Sequence, residues 1–375
     1  MEKNIRVLVV DDSPTMCRLL TSILTSDPGI EVIGTAPDPY AARERIKALN
    51  PDVLTLDVEM PLMDGLAFLR NLMRLRPMPV VMCSTLTQQG AAVALDALAI
   101  GAVDFVGKPA SSGAHNLDSF AQELIAKVKT AVHARVRTLP DALAPGGRTR
   151  PKGGRILPAR GVWPHSALTN RIIAIGASTG GTEAIKQVLM DLPGEMPGIV
   201  IAQHIPKAFS GKFARRMDEA SLLEVCEAED GQPILPGHAY IAPGDQHLIV
   251  VRDGEGYRCR LSDGEPVNRH RPSVDVLFRS VARSAGPHSI GVILTGMGRD
   301  GAEGLKEMLD EGAATVGQDE NTSVVWGMPG AAWHVGAVEA LHPLPEIAER
   351  IMELVAASVD PLRHAAKKPS RTMAG

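Results

Sequence analysis

Apolar positions along the chain follow two rhythms. Short unbroken aliphatic runs stand at Ile5–Val10, Val53–Leu56, Val80–Cys83 and Val103–Val106. Between them lie segments of helical periodicity such as Pro39–Leu49 and Gly65–Arg74. An unbroken apolar run marks a strand buried on both faces, and strands alternating with helices predict a parallel sheet covered on both sides. The rhythm collapses from about residue 132 to 168, where ten prolines and glycines punctuate the chain. Seven Arg and Lys, from Arg135 to Arg160, make this stretch basic, with Asp141 its one acid. Such a run suits a solvated spacer, or a contact for an acidic partner or nucleic acid; it is read here as a spacer. Periodicity resumes at Asn170, with strands at Arg171–Ile175, Gly198–Ala202 and Ser289–Leu294 and helices at Thr182–Leu192 and Gly301–Glu311. The pattern predicts two α/β domains, each a doubly wound parallel sheet, at residues 1–128 and 169–357. A linker (129–168) joins them and a tail (358–375) follows.

Composition sharpens this picture mainly by exclusion. Of 375 residues, 45% are apolar and only 3% aromatic, so the cores must be aliphatic and a stacking platform for single-stranded nucleic acid is disfavoured. A net charge of -4 also argues against a nucleic-acid partner. Cys17, Cys83, Cys226 and Cys259 form no C-x-x-C pair, which predicts free thiols in a reducing, cytoplasmic setting. The N-terminus does not read as a signal peptide, and no apolar stretch approaches the ~18–20 residues of a membrane span, so no membrane insertion is expected.

In open parallel sheets ligands bind at the carboxyl ends of strands, which directs attention there. Asp11 and Asp12 follow the first strand and Asp57 follows Val53–Leu56, so three carboxylates should converge. Like charges so placed call for a cation, and oxygen-only ligands in an open pocket suit Mg²⁺. Ser84 ends one strand and Lys108 follows another, supplying a hydroxyl and a compact positive charge. Singly, an Asp-Asp pair is a loop or helix cap and Lys-Pro a turn. Together, each at a strand end, they describe phosphoryl transfer to a carboxylate.

A second set lies in the second domain. Gly176-Ala177-Ser178-Thr179-Gly180-Gly181 joins a strand to a helix and matches G-x-S-x-G, a turn that exposes a serine hydroxyl. A phosphate cradle and a simple helix N-cap are the competing readings. Among eleven His, His204 also stands at a strand end and is the candidate base; His238, His247, His270, His288 and His334 are its rivals. His238 and His247 flank the turn-rich stretch 241–245 and read as loop residues. Asp300, beyond Ser289–Leu294, is either the carboxylate that orients the base or an N-cap. The order Ser, His, Asp disfavours an α/β-hydrolase, which runs Ser, Asp, His.

The stretches VVDDSPTM (9–16), LTLDVEMPLMDG (54–65), VVMCST (80–85) and GAVDFVGKP (101–109) resemble the receiver domain of two-component response regulators. The resemblance implies a flavodoxin-like fold, with Asp57 accepting phosphate from a histidine kinase. It implies Mg²⁺ held by Asp12, Asp57 and the Glu59 carbonyl with Asp11 assisting, and Ser84 and Lys108 contacting the phosphoryl group. Phe105 falls at the family's switch aromatic, or is plain core. IGASTGGTEAI (175–185), QHIPKAFSGKFARR (203–216), HRPSVDVLF (270–278) and GVILTGMGRDGAEGL (291–305) resemble the chemotaxis protein-glutamate methylesterases, the CheB family. No departure from the family pattern is visible at either site.

That resemblance implies a Rossmann-like domain with Ser178 as nucleophile, His204 as base and Asp300 as orienter, and amides near Thr179 and Met297 binding the oxyanion. Thr179 is expected to hold His204 by its side chain, and His270–Ser273 to lie at the substrate cleft or form a charged turn. The implied substrates are glutamate methyl esters, and glutamines to be deamidated, on methyl-accepting chemoreceptors. The implied phosphodonor is the histidine kinase of the chemotaxis array, and no metal enters the esterase step. The unphosphorylated receiver is expected to block the cleft. Alternatives are the same esterase in a non-chemotaxis signalling array, or a receiver-regulated binding module without turnover. A DNA-binding regulator is disfavoured by the negative charge and the lack of a helix-turn-helix pattern.

Overall fold

The computed structural model describes residues 4–60, 64–85, 87–108, 114–136 and 168–359. Most of the expected linker and nearly all of the tail lie outside these residues. In the first domain β1 (Ile5–Val10), β2 (Ile30–Ala36), β3 (Val53–Asp57), β4 (Val80–Thr85) and β5 (Asp104–Lys108) form a parallel sheet of order β2-β1-β3-β4-β5. Helices α1 (Pro14–Thr25), α2 (Pro39–Leu49), α3 (Gly65–Leu75), α4 (Gln88–Ile100) and α5 (Ala114–Ala131) follow the strands in turn. Alternate strand residues feed separate cores: Leu8, Val10, Leu54 and Leu56 on one face, Val7, Val9 and Val53 on the other. Ser13, Asp38, Asp64 and Thr87 cap α1 to α4 with side-chain oxygens accepting backbone N–H groups.

The second domain carries seven parallel strands: β6 (Ile172–Ala177), β7 (Gly198–Gln203), β8 (Glu224–Glu227), β10 (His238–Ile241), β13 (Ser289–Ile293), β14 (Ala314–Gln318) and β15 (Ala340–His342). Their order is β15-β14-β13-β6-β7-β10-β8. The chain builds outward from β6 in one direction, then returns to place β13 on its other side, so the topological switch point lies between β6 and β13. Helices α6 (Gly181–Asp191), α7 (Lys207–Ala220), α8 (Val274–Ala285), α9 (Ala302–Asp310), α10 (Met328–His334) and α11 (Leu344–Val359) cover the sheet. A three-stranded antiparallel sheet of β9 (Pro233–Ile234), β11 (His247–Asp253) and β12 (Gly256–Ser262) packs beside it and was not anticipated.

Several strands extend past their expected ends, so Ser84 and Lys108 lie within β4 and β5 rather than after them. His238 and His247 are not loop residues; they open β10 and β11. Close packing of α8 on β6 depends on Gly176, where a Cβ would sit 2.1 Å from Val274 Cγ1. The two domains share one apolar cluster: Leu95, Leu98 and Phe105 of the first meet Ile205, Phe209 and Phe213 of the second.

Candidate functional site

In the first domain β1 and β3 are neighbours, so the residues at their carboxyl ends converge. Ligand oxygens of Asp11, Asp12 and Asp57 lie within 4.8 Å of one another. Lys108 Nζ bridges two of them, 2.8 Å from Asp11 Oδ2 and 2.8 Å from Asp57 Oδ1. Burial pushes the Asp57 carboxyl up, opposed by Lys108. Burial works against the Lys108 charge, yet the two carboxylates hold its ammonium above the usual range. Three oxygen donors with one exposed member, Asp12, fit a hydrated Mg²⁺, which would screen this charge and draw in a phosphoryl group. Glu59 is exposed on the loop after β3. Ser84 is buried and its hydroxyl donates to the Gly90 carbonyl at 3.2 Å.

In the second domain β6, β7 and β13 lie side by side, and Ser178, His204 and Asp300 stand just beyond their carboxyl ends. Ser178 Oγ lies 3.1 Å from His204 Nδ1, and His204 Nε2 lies 2.8 Å from Asp300 Oδ2. With the proton on Nε2 facing the carboxylate, Nδ1 is left to accept the serine proton. Neither Ser178 nor Asp300 is the N-cap of the helix that follows it. The caps of α6 and α9 are Gly180 (φ +76°) and Gly301 (φ +92°), which make no side-chain cap bond. Gly296 lets its loop approach the serine, since a Cβ there would sit 2.9 Å from Ser178 Cβ. Among the described residues the backbone N–H groups of Thr179 and Met297 have no hydrogen-bond partner, so both remain available as donors beside Ser178.

Asp300 is anchored from four further directions. Val274 N–H donates to Oδ2 at 2.7 Å, while Ser273 Oγ (2.8 Å), Asn268 Nδ2 (2.7 Å) and Asp275 N–H (3.3 Å) donate to Oδ1. Burial alone would push the Asp300 carboxyl up; His204, Asn268 and the Val274 N–H hold it well below the usual carboxylate range. His270 stacks on His204 with ring centroids 3.7 Å apart. Burial and the nearby His204 push its imidazole down to about 4, so it is neutral at pH 7. His247 serves as a support: its Nδ1 accepts from Ser273 N–H at 3.2 Å. Sequence reasoning noted the His270–Ser273 segment but missed Asn268, Asp275 and the N-terminus of α8 as carriers of the carboxylate.

One expectation is corrected. Thr179 does not hold His204. Its hydroxyl donates across the domain boundary to Asp104 Oδ2 at 2.5 Å, because β5 of the first domain seats against this turn. Lys127 of α5 completes the contact, 3.1 Å from Asp104 Oδ1, and donates to the Phe105 carbonyl at 2.6 Å. Phe105 is neither a free switch nor simple core of its own domain; it stacks on Phe209 at 4.4 Å. Thr130 touches the Met297 thioether, and Arg216 pairs with Asp96 at 3.1 Å. The first domain thus seats against the turn that carries Ser178 and the loop that carries Met297, while Ser178 itself stays partly exposed.

The CheB methylesterase family model matches residues 173–351, and the response regulator receiver domain model matches residues 7–115. A protein-glutamate methylesterase/protein-glutamine glutaminase from Xanthomonas campestris pv. campestris is 55% identical over 360 residues, covering 95% of this chain and 99% of its own length. A relative of the same description from Hydrogenovibrio crunogenus is 52% identical over 371 residues, covering 94% and 99%. One from Nitrosomonas europaea is 52% identical over 350 residues, covering 93% and 96%. Among the described residues no helix is long and apolar enough to cross a membrane.

Proposed function

Because this chain belongs to the CheB methylesterase family and carries a response regulator receiver ahead of that domain, we propose that Ser178, His204 and Asp300 form its catalytic triad. The protein is a protein-glutamate methylesterase and protein-glutamine glutaminase under receiver control. The observation that carries the site assignment is the unbroken line from Ser178 Oγ through His204 to Asp300 Oδ2, at 3.1 and 2.8 Å.

The chemistry follows from that line. Ser178 Oγ attacks the ester carbonyl of a methylated receptor glutamate as His204 Nδ1 takes its proton. The carbonyl oxygen becomes an anion facing the N–H groups of Thr179 and Met297; one such donor is typically worth ~10²–10³ in rate. His204 returns the proton to the departing methoxide, and methanol leaves. Water then attacks the acyl-serine with His204 again as base, releasing the glutamate. With glutamine the leaving group is ammonia, and the same acyl-serine follows. Asp300 orients His204 and stabilises the imidazolium without being protonated.

In the receiver, Asp57 is the proposed phosphate acceptor, with a histidine kinase as donor. Asp11, Asp12 and Asp57, with the Glu59 carbonyl, would hold Mg²⁺, whose role when bound is to neutralise the carboxylates and the incoming phosphoryl oxygens. Ser84 and Lys108 are the proposed phosphoryl contacts; Ser84 must leave the Gly90 carbonyl to act so. Phosphate on Asp57 adds charge beside Lys108, at the opposite end of β5 from Asp104. The proposed consequence of that charge is a shift of the contact between the domains toward release.

The test is methanol release from methyl-labelled chemoreceptor, with and without a small-molecule phosphodonor. The wild-type chain is expected to release methanol, faster with the donor, and Ser178→Ala to release none. A folded wild-type protein that releases none from any receptor of its host overturns the reading. Asp57→Asn is expected to abolish the rise in rate on adding the donor. A response equal to wild type would place the phosphorylated residue elsewhere.

A further inference from the structure

The turn that follows the antiparallel sheet touches both ends of the His204–Asp300 pair. Val267 and His270 exchange backbone hydrogen bonds, Val267 N–H to the His270 carbonyl at 3.1 Å and the reverse at 2.9 Å. Between them Asn268 (φ +54°) and Arg269 (φ +69°) are both left-handed. Two consecutive left-handed residues closing an antiparallel pair describe a type I′ turn, a conformation Asn adopts far more readily than most side chains. The turn is exposed, yet the Asn268 amide reaches two buried carboxylates at once. Its Nδ2 lies 2.7 Å from Asp300 Oδ1 and 2.7 Å from Asp275 Oδ2. Asp300 is 1% exposed and Asp275 is 2% exposed.

We infer that Asn268 is a positioning residue for the reaction: its two amide N–H groups, one on each carboxylate, tie Asp300 to Asp275 and hold Asp300 at the angle and charge that His204 requires. The inference rests on the triad reading. Two buried carboxylates side by side repel unless donors separate them. Asp275 is itself fixed by the Gly304 N–H on Oδ1 at 2.7 Å, so its position is set by α9 and is not adjustable. A carboxamide is the side chain that can donate to both carboxylates from one nitrogen without adding charge. Without it Asp300 Oδ1 keeps Ser273 Oγ and the longer Asp275 N–H, and the negative charge facing His204 grows. The charged or titratable groups facing the pair are His270 and Arg269 from the turn, Asp275 and Arg279 from α8, His247 from β11, and Lys127 from the receiver.

Asn268→Gly keeps the left-handed backbone and removes the amide; Asn268→Asp keeps the shape and replaces the donor with an acceptor. Both are made in the full-length chain. Two readouts are taken: kcat and KM for methanol release in the presence of phosphodonor, and titration of the His204 ring by proton NMR of histidine-labelled protein, which needs no turnover. The expected result is kcat lowered about tenfold or more, KM within about twofold of wild type, and a His204 midpoint moved to higher pH in both variants. A kcat within about twofold with the midpoint unmoved or lowered overturns the inference, as does a lower melting temperature as the sole change. If the wild-type chain released no methanol the triad reading would fail, while the ring titration would still decide whether Asn268 acts on His204.

Discussion

Asp300→Asn is expected to lower kcat for methanol release by about 10⁴-fold with KM little changed, the loss seen when a triad carboxylate becomes an amide. The hydrogen bonds around Asp300 fix which way the amide must turn. Oδ1 accepts from Ser273 Oγ, Asn268 Nδ2 and Asp275 N–H, so that position demands an oxygen. The amide nitrogen of the variant is therefore forced into the place of Oδ2, where it meets His204 Nε2 and the Val274 N–H. A donor facing Nε2 requires Nε2 to accept, which moves the ring proton to Nδ1. Nδ1 faces Ser178 Oγ, and a protonated nitrogen there cannot take the serine proton. The same substitution sets two donors against each other in a buried site, the new side-chain amide and the Val274 N–H. A loss of about 1–3 kcal/mol in stability is therefore expected alongside. The measurement is kcat and KM on methyl-labelled receptor with thermal melting of the same protein. A loss below about tenfold in a folded variant would remove Asp300 from the role of orienter.

How much of this was legible beforehand differs from residue to residue, for physical reasons. Ser178, His204 and Asp300 were found because parallel sheets collect side chains at strand ends, and a strand end is visible as the point where an aliphatic run stops. The same rule brought Asp11, Asp12 and Asp57 together. It is silent about Asn268 and His270, which reach the site from a turn after β12 and owe their placement to a left-handed backbone. The antiparallel sheet was written in the chain as a period of two, with Tyr257 and Cys259 buried and Arg258 and Arg260 exposed. That signal went unread because turn-rich flanks such as Ile241–Asp245 invited a loop. Thr179 exposes a deeper limit. Its sequence neighbourhood says only that it follows the nucleophile. Its partner is set by how one domain docks on the other, and no local pattern encodes that.

Asp104→Ala is the second large effect, a basal, donor-free rate raised roughly 10- to 100-fold. Asp104 is buried between the domains with both oxygens committed: Oδ2 to the Thr179 hydroxyl at 2.5 Å, Oδ1 to Lys127 at 3.1 Å. Removing it strips Thr179 of its acceptor and leaves the largely buried Lys127 with Glu123 at 2.8 Å as its remaining carboxylate. Deleting one partner of a buried ion pair costs about 3–5 kcal/mol when the surviving charge is left unpaired; Glu123 and the Phe105 carbonyl still compensate Lys127, so the cost here is smaller. Opening the domains hydrates Lys127 and relieves that cost, so most of the penalty falls on the closed arrangement and little on the open one. The gain in rate has a ceiling, since it cannot exceed the activity of a fully open population. The variant should therefore approach the phosphorylated wild-type rate, and its own response to phosphodonor should shrink in proportion. Coupling between sites is reciprocal for binding equilibria. If phosphate on Asp57 favours opening, an open receiver must hold phosphate more favourably, so Asp104→Ala should also retain more phosphate on Asp57 at equilibrium with the donor. An unchanged basal rate, with Asp57 phosphorylated to the wild-type extent, would show that the Asp104–Thr179 contact accompanies closure without restraining it.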